Sequence, residues 1–266
     1  MAGQVLTMND IAARAVPALA DHAASRVSEK YKFIPTTDII DAMREADFEP
    51  VRAMGVRSRV EERRNFGKHQ IAFRHGSGFG ADVGDVFPEI ILRNSHDGVG
   101  AFVLTAGVFR LVCLNGMVVG QSMDQMRISH RTKSPLEEIV ARSLGMANQF
   151  GVLAGTIEKA RGVMLSEQDQ LQFARRAIAL RFPQDGDDSQ RLDPAVVLQA
   201  RRVEDNGSDV WTVFNRVQEH LVKGGNTMTM ANGRTRRMRE LTRMETNFDF
   251  NRGLWNLFDE AVTVGG

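Results

Sequence analysis

Four short apolar segments follow one another between residues 69 and 115, and no other feature restricts the fold of this chain as strongly. HQIAFR (69–74), FPEIILRN (87–94), VGAFVLTA (99–106) and VFRLVCLN (108–115) are β-branched or aromatic and punctuated by Gly, Asn and Asp. Asn94 to Gly98 (NSHDG) suits a hairpin loop. Asn115-Gly116 is the strongest two-residue hairpin signal, because both residues tolerate the positive φ angles of a type I′ turn. Val118-Val119 and Met126 to Arg131 supply further strands. Strands joined by short connections rather than by helices predict an antiparallel sheet and the α+β class, not a doubly wound fold.

Helical patterns flank this region. Ile11, Ala15, Leu19 and Ala23 lie near helical spacing, with Pro17 expected to kink or split the helix. Thr36 or Thr37 is expected to cap a second helix carrying Ile39, Ile40 and Met43, closed by Glu49-Pro50. Ser134-Pro135-Leu136-Glu137 is a capping box with a proline start, opening one long helix to about 163. Ser166-Glu167-Gln168-Asp169 repeats the signature before a helix ending near Phe182-Pro183. Asp193-Pro194 and then Ser208 or Asp209 start further helices, and Lys223-Gly224-Gly225 ends the second of these. Leu254, Trp255, Leu257 and Phe258 mark a final helical segment. The expected organisation is an N-terminal helical segment (1–50), an α+β core with a hairpin-built antiparallel sheet and a long capped helix (51–182), and a C-terminal helical region (183–266).

Composition narrows the function classes. The 266 residues carry 34 basic and 33 acidic side chains, which suits neither an acidic DNA mimic nor a histone-like polycation. No apolar run approaches the ~20 residues that span a bilayer, and MAGQVLTMND lacks a basic segment followed by an apolar one. A soluble protein of the cytoplasm is the expectation, with no membrane partner.

Catalytic motifs are scarce. Cys113, the single cysteine, lies between Val112 and Leu114 in a predicted strand without a neighbouring base, so it reads as a buried strand residue. There is no Gly-x-Ser-x-Gly elbow and no Walker A sequence. His69 and His75 stand six apart, a spacing that would separate their rings by roughly 20 Å along one strand, and His96-Asp97 supplies too few ligands. Gly76-Ser77-Gly78-Phe79-Gly80 resembles a phosphate loop, but Asp82 and Asp85 follow where a helix would be needed. The carboxylates Asp82, Asp85 and Glu89 are the only nuclease candidates near the sheet. The expectation is a non-enzymatic protein with no cofactor, no metal site and no catalytic residue.

Two basic clusters stand out from this neutral background. Residues 51–75 hold Arg52, Arg57, Arg59, Arg63, Arg64, Lys68 and Arg74 against Glu61 and Glu62, with Phe66, Phe73 and Phe79 interleaved. Residues 223–243 hold Lys223, Arg234, Arg236, Arg237, Arg239 and Arg243 against Glu240. Arg127, Arg131 and Lys133 form a shorter group. Arginine's planar fork suits bidentate phosphate contact, and exposed rings can stack bases. Competing with this reading, Glu245, Asp249, Asp259 and Glu260 in the tail could neutralise the second cluster.

KYKFIPTTDIIDAM (30–43), FRLVCLNGM (109–117), WTVFNRVQEHLVKGG (211–225) and NRGLWNLFDEA (251–261) together resemble the phage- and plasmid-encoded family catalogued as domain of unknown function 932, from about residue 30 to the end. The resemblance implies a mobile-element context and carries over no catalytic residue. By element order alone, hairpins followed by a capped helix are also similar to ATP-independent single-strand annealing proteins, an analogy that fixes no function.

The sequence therefore predicts a nucleic-acid-binding protein of a phage or other mobile element in a bacterial host. Single-stranded DNA is the favoured ligand, strand annealing in recombination the favoured role, and a homo-oligomer the favoured state. Arg52, Arg57, Arg59, Arg63, Arg64, Lys68, Arg74, Arg127, Arg131, Lys133, Arg234, Arg236 and Arg237 are the expected contacts. The alternative is an oligomeric scaffold or host-protein binder without nucleic-acid affinity, to which the 13 methionines could contribute an adaptable surface.

Overall fold

The computed structural model describes residues 5–29, 31–56, 58–76, 86–110, 115–118, 126–128, 135–183, 192–230 and 233–264. The chain forms two compact units. One comprises Met1–Gly116 with Ser122–Gly151, the other Met117–Gln121 with Val152–Gly266. The expected bounds at 50 and 182 do not coincide with the limits of these units. Residues around 50 lie inside a strand, Phe48–Gly55, on which the helices Met8–Arg14 and Thr36–Glu45 pack.

In the first unit, Thr7 and Asp10 form a reciprocal capping box that starts α1 (Met8–Arg14). Pro17 has the expected effect: the helix stops and a 3₁₀ turn, Val16–Leu19, follows. α2 spans Thr36–Glu45, with Ile39, Ile40 and Met43 fully buried on one face. Its cap position is Pro35, so neither Thr36 nor Thr37 caps it, and the Thr36 side chain is committed elsewhere. The strands are β1 (Phe48–Gly55), β2 (His69–His75), β3 (Val86–Asn94), β4 (Phe102–Arg110), β5 (Asn115–Val118) and β6 (Met126–Ile128). A short helix, α3 (Glu61–Phe66), joins β1 to β2.

The sheet runs β1-β2-β3-β4-β5, with β6 also paired to β4, and the registers of β1–β2, β2–β3, β3–β4 and β4–β6 are all antiparallel. Pro50 lacks an N–H and is placed on the terminal strand β1, beside a register shift between Pro50 and Arg52. β3 is buried along almost its whole length, as befits a central strand. Two details depart from expectation. The segments 99–106 and 108–115 do not form two strands; Gly107 continues β4 directly, facing Glu89. Asn115 and Gly116 lie in β5 rather than in a turn.

The expected long helix is two, α4 (Pro135–Ala147) and α5 (Phe150–Gly162), interrupted by a turn at Asn148-Gln149. Asparagine competes poorly for helix interiors, which places the break there. Ser134, the expected cap, lies outside the described residues.

The second unit contains α6 (Glu167–Arg181), α7 (Pro194–Val197), α8 (Val210–Lys223), the strands β7 (Thr227–Thr229) and β8 (Thr235–Arg237), and α9 (Met244–Val264). Ser166, Asp193 and Asp209 cap α6, α7 and α8 as their sequence signatures predict. Trp211 and Phe214 of α8 meet Trp255 and Phe258 of α9, with Phe214–Phe258 at 5.0 Å and Trp255–Phe258 at 4.8 Å between ring centroids. This aromatic cluster is the core of the unit. α8 is buried nearly all round, so its polar residues need partners: Gln218 donates to Asn251 Oδ1 at 2.9 Å, and Glu219 pairs with Arg202 at 2.8 Å.

Candidate nucleic-acid interface

The first basic cluster is divided by the fold. Arg74 points inward from β2 and donates from Nε and Nη2 to Glu89 Oε1, at 3.0 and 2.9 Å, while its guanidinium lies 4.4 Å from the centre of the Phe87 ring. Arg52 donates to the other carboxylate oxygen, Glu89 Oε2. Glu89 is completely buried, and an ionised carboxylate there requires compensating charge. Arg52 and Arg74 supply that charge, so the expectation that they hold phosphates is corrected. Glu89, weighed in the sequence as a nuclease carboxylate, is occupied in the same pairing.

What remains on the surface is a shorter track. Arg59, Arg63 and Arg64 are exposed. Arg64 stands 3.9 Å from Glu61 one helical turn away, and such an exposed pair contributes little. Glu62 is engaged by Arg26 at 3.4 Å. Lys68 is half-buried, and Arg127 is placed opposite Val103 in β6. Arg57, Arg131 and Lys133 lie outside the described residues, as do Phe79, Asp82, Asp85 and Cys113. The rings expected to stack bases are otherwise employed: Phe73 is fully buried, and Phe66 packs edge-on against His22 at 5.0 Å.

The histidines are structural. His69 Nδ1 faces the Gly67 carbonyl at 3.1 Å and must donate to it, leaving Nε2 to accept from the Thr36 hydroxyl at 2.8 Å. Thr36 Oγ1 in turn accepts from Asn94 Nδ2 at 3.1 Å and from His96 Nε2 at 3.2 Å. Burial holds His69 down at about 4, a neutral ring at physiological pH. Thr36 thereby ties α2 to the sheet. His75 instead packs on Phe48 at 4.7 Å. Among the described residues no group of three or more His, Cys, Asp or Glu side chains is placed to hold a metal ion.

The second cluster is built around the end of α8. Gly224 terminates that helix at φ +70°, and Gly225 follows at φ +93°. The chain then forms the hairpin β7–β8, in which Thr227 faces Arg237, Met228 faces Arg236 and Thr229 faces Thr235. Met228 is buried and anchors the hairpin, whereas Arg234, Arg236 and Arg237 are exposed, as are Arg239 and Arg243 beyond them. Two further arginines reach the carbonyls that α8 leaves unpaired. Arg181 Nε donates to Leu221 O at 3.2 Å, and Arg201 Nη2 to Gly224 O at 2.7 Å. Cations are favoured there because the helix dipole is negative at its C-terminus.

The neutralising tail is otherwise engaged at two positions: Glu260 pairs with Arg176 at 2.6 Å and Asp249 with Arg252 at 3.5 Å. Glu240 stands 3.7 Å from Lys223. Arg181 and Arg201 escaped the sequence reading because neither belongs to a local charge run. The hairpin escaped it too, although Asn232-Gly233 between TMT and TRR is the same turn signal that drew attention to Asn115-Gly116.

Among the described residues, no helix is long and apolar enough to cross a membrane. Residues 23–255 match the family model described as domain of unknown function (DUF932). The chain is 32% identical over 240 residues to the UPF0380 protein YfjQ of Escherichia coli (strain K12), covering 89% of this chain and 84% of that protein. It is 31% identical over 236 residues to the UPF0380 protein YafZ of the same organism, with the same coverage. No solved structure matches.

Proposed function

We propose that this chain, which belongs to the DUF932 family, is a nucleic-acid-binding protein whose principal contact surface is the arginine-rich hairpin of its second unit. The observation that carries this reading is the exposure of Arg236, Arg237, Arg239 and Arg243 next to one another in sequence, while Glu219 and Glu240 are paired with other cations. Guanidinium groups held on a hairpin can each make a bidentate phosphate contact. On the first unit, Arg59, Arg63 and Arg64 are exposed and offer a further contact surface.

Single-stranded DNA is the proposed ligand. The role is to bind and anneal strands without a nucleotide cofactor, as a homo-oligomer in the cytoplasm of a bacterium carrying a mobile element. Binding of a fluorescently labelled single-stranded oligonucleotide, measured by anisotropy over a salt series, tests the reading. Affinity should fall with salt by a log–log slope of about −0.7 per phosphate contacted. Absence of binding to single-stranded DNA and RNA at low salt would overturn it and leave a scaffold or host-protein binder. Light scattering with and without oligonucleotide measures the assembly.

A further inference from the structure

The hairpin surface contains a more specific feature than a row of cations. Nη2 of Arg201 and Nη2 of Arg237 each stand 3.7 Å from the point where a Cβ on Gly225 would be. The two nitrogens are therefore separated by no more than twice that distance, so the two guanidiniums flank one small space. Both Nη2 protons of Arg201 are spent on Gly224 O and Asn226 Oδ1, and its Nε or Nη1 would make the phosphate contact. Gly225 leaves the space between them open, and its N–H is already spent on Met238 O at 2.9 Å.

Arg201 is held in place before any ligand arrives. Its Nη2 donates to Gly224 O at 2.7 Å and to Asn226 Oδ1 at 3.2 Å. The Asn226 amide is itself oriented, because its Nδ2 donates to His220 Nδ1 at 2.9 Å. That ring nitrogen is bare because Nε2 carries the proton toward the Gln199 carbonyl at 2.8 Å. Gln199, His220 and Asn226 thus form a chain of hydrogen bonds ending on Arg201, leaving its Nε and Nη1 for another acceptor. Arg237 is exposed at the end of β8, with no carboxylate within ion-pair distance among the described residues. The neighbouring Glu219 is taken by Arg202 at 2.8 Å.

Two adjacent cations repel each other, and a dianion relieves that repulsion more than a monoanion does. A phosphomonoester carries a charge of about −1.5 to −2 at neutral pH, whereas an internal phosphodiester carries one. Deepening the nucleic-acid reading above, on which it rests, we infer that Arg201 and Arg237 form a clamp over Gly225 for the terminal phosphate of a nucleic-acid strand. The protein then recognises strand ends as well as backbone.

The test compares the full-length protein's affinity for one oligonucleotide sequence bearing a 5′-phosphate, a 3′-phosphate or hydroxyl groups at both ends. All measurements use anisotropy at a single salt concentration. A phosphorylated end is expected to bind at least five-fold more tightly than the hydroxyl form, and the better of the two ends gives the polarity. In Arg237→Gln the affinity for every oligonucleotide falls, and the ratio between phosphorylated and hydroxyl forms collapses toward one. Arg237 is exposed, so this variant should fold, and circular dichroism verifies that it does. Arg239→Gln, a cation outside the clamp, should lower affinity while keeping the ratio. Equal affinity for all three oligonucleotides would overturn the clamp and leave the nucleic-acid reading intact. No binding of any of them at low salt would remove both.

Discussion

Arg74 grips the buried carboxylate of Glu89 with two nitrogens, Nε at 3.0 Å and Nη2 at 2.9 Å. With Arg52 on the second oxygen, the strands β1, β2 and β3 are joined by one charged contact inside the sheet. Removing the carboxylate charge takes the Glu89 anion away from two guanidiniums. Glu89→Gln should therefore destabilise the first unit by about 3–5 kcal/mol, the usual cost of breaking a buried pair. Urea unfolding measures it, and a loss below about 1 kcal/mol would contradict the structural role assigned to Arg52 and Arg74.

The same assignment separates structural from binding arginines in the salt dependence. Arg236→Gln should flatten the log–log slope for single-stranded DNA by about 0.7, the loss of one phosphate contact. Arg74→Gln, provided it still folds under the assay conditions, should leave the slope unchanged. Equal effects of the two substitutions would mean that the surface has been drawn in the wrong place.

Stability should fall in mild acid. His69 titrates at about 4 in the folded protein against an ordinary 6.5, because burial disfavours its charged form. A base whose folded value is depressed binds fewer protons folded than unfolded between those two values. Stability from His69 is thus complete above about 6.5 and declines as the pH falls toward 4, by about 3 kcal/mol in all. Burial lowers His220 as well, in the same sense. Urea midpoints taken from pH 7.5 to 4.5 should track this decline, and His69→Gln should flatten it.

Gly224→Ala should be poorly tolerated. The residue sits at φ +70°, and a Cβ there would stand 2.6 Å from Met238 O. Backbone strain alone costs about 1–3 kcal/mol, and the contact with the carbonyl adds to it. A lowered melting temperature is expected, together with weaker oligonucleotide binding as β8 is displaced. An unchanged melting temperature would show that the turn can relax around the methyl group.

Strand content, caps and helix ends were largely legible in the sequence because each has a local cause. Ser166, Asp193 and Asp209 accept hydrogen bonds from backbone N–H groups two or three residues on, and Pro17 and Gly224 act on the chain where they stand. Thr36 illustrates the opposite case. Its hydroxyl was a good cap by residue type, but His69 and His96, 33 and 60 residues away, claim it instead. The break at Asn148-Gln149 and the hairpin β7–β8 also carry local signals, an asparagine inside a helical run and Asn232-Gly233 inside a basic stretch.

Charge was the least readable property. The sequence by itself determined that arginines concentrate in two stretches and that strands without helical crossovers form an antiparallel sheet, since both follow from residues close along the chain. Only the tertiary structure decided which guanidiniums face water. Glu89, 15 residues from Arg74 and 37 from Arg52, draws both inward. Arg201, outside either stretch, is brought to within reach of Arg237 at Gly225. Coulomb and desolvation energies depend on distance and burial in space, and neither is encoded by position along the sequence.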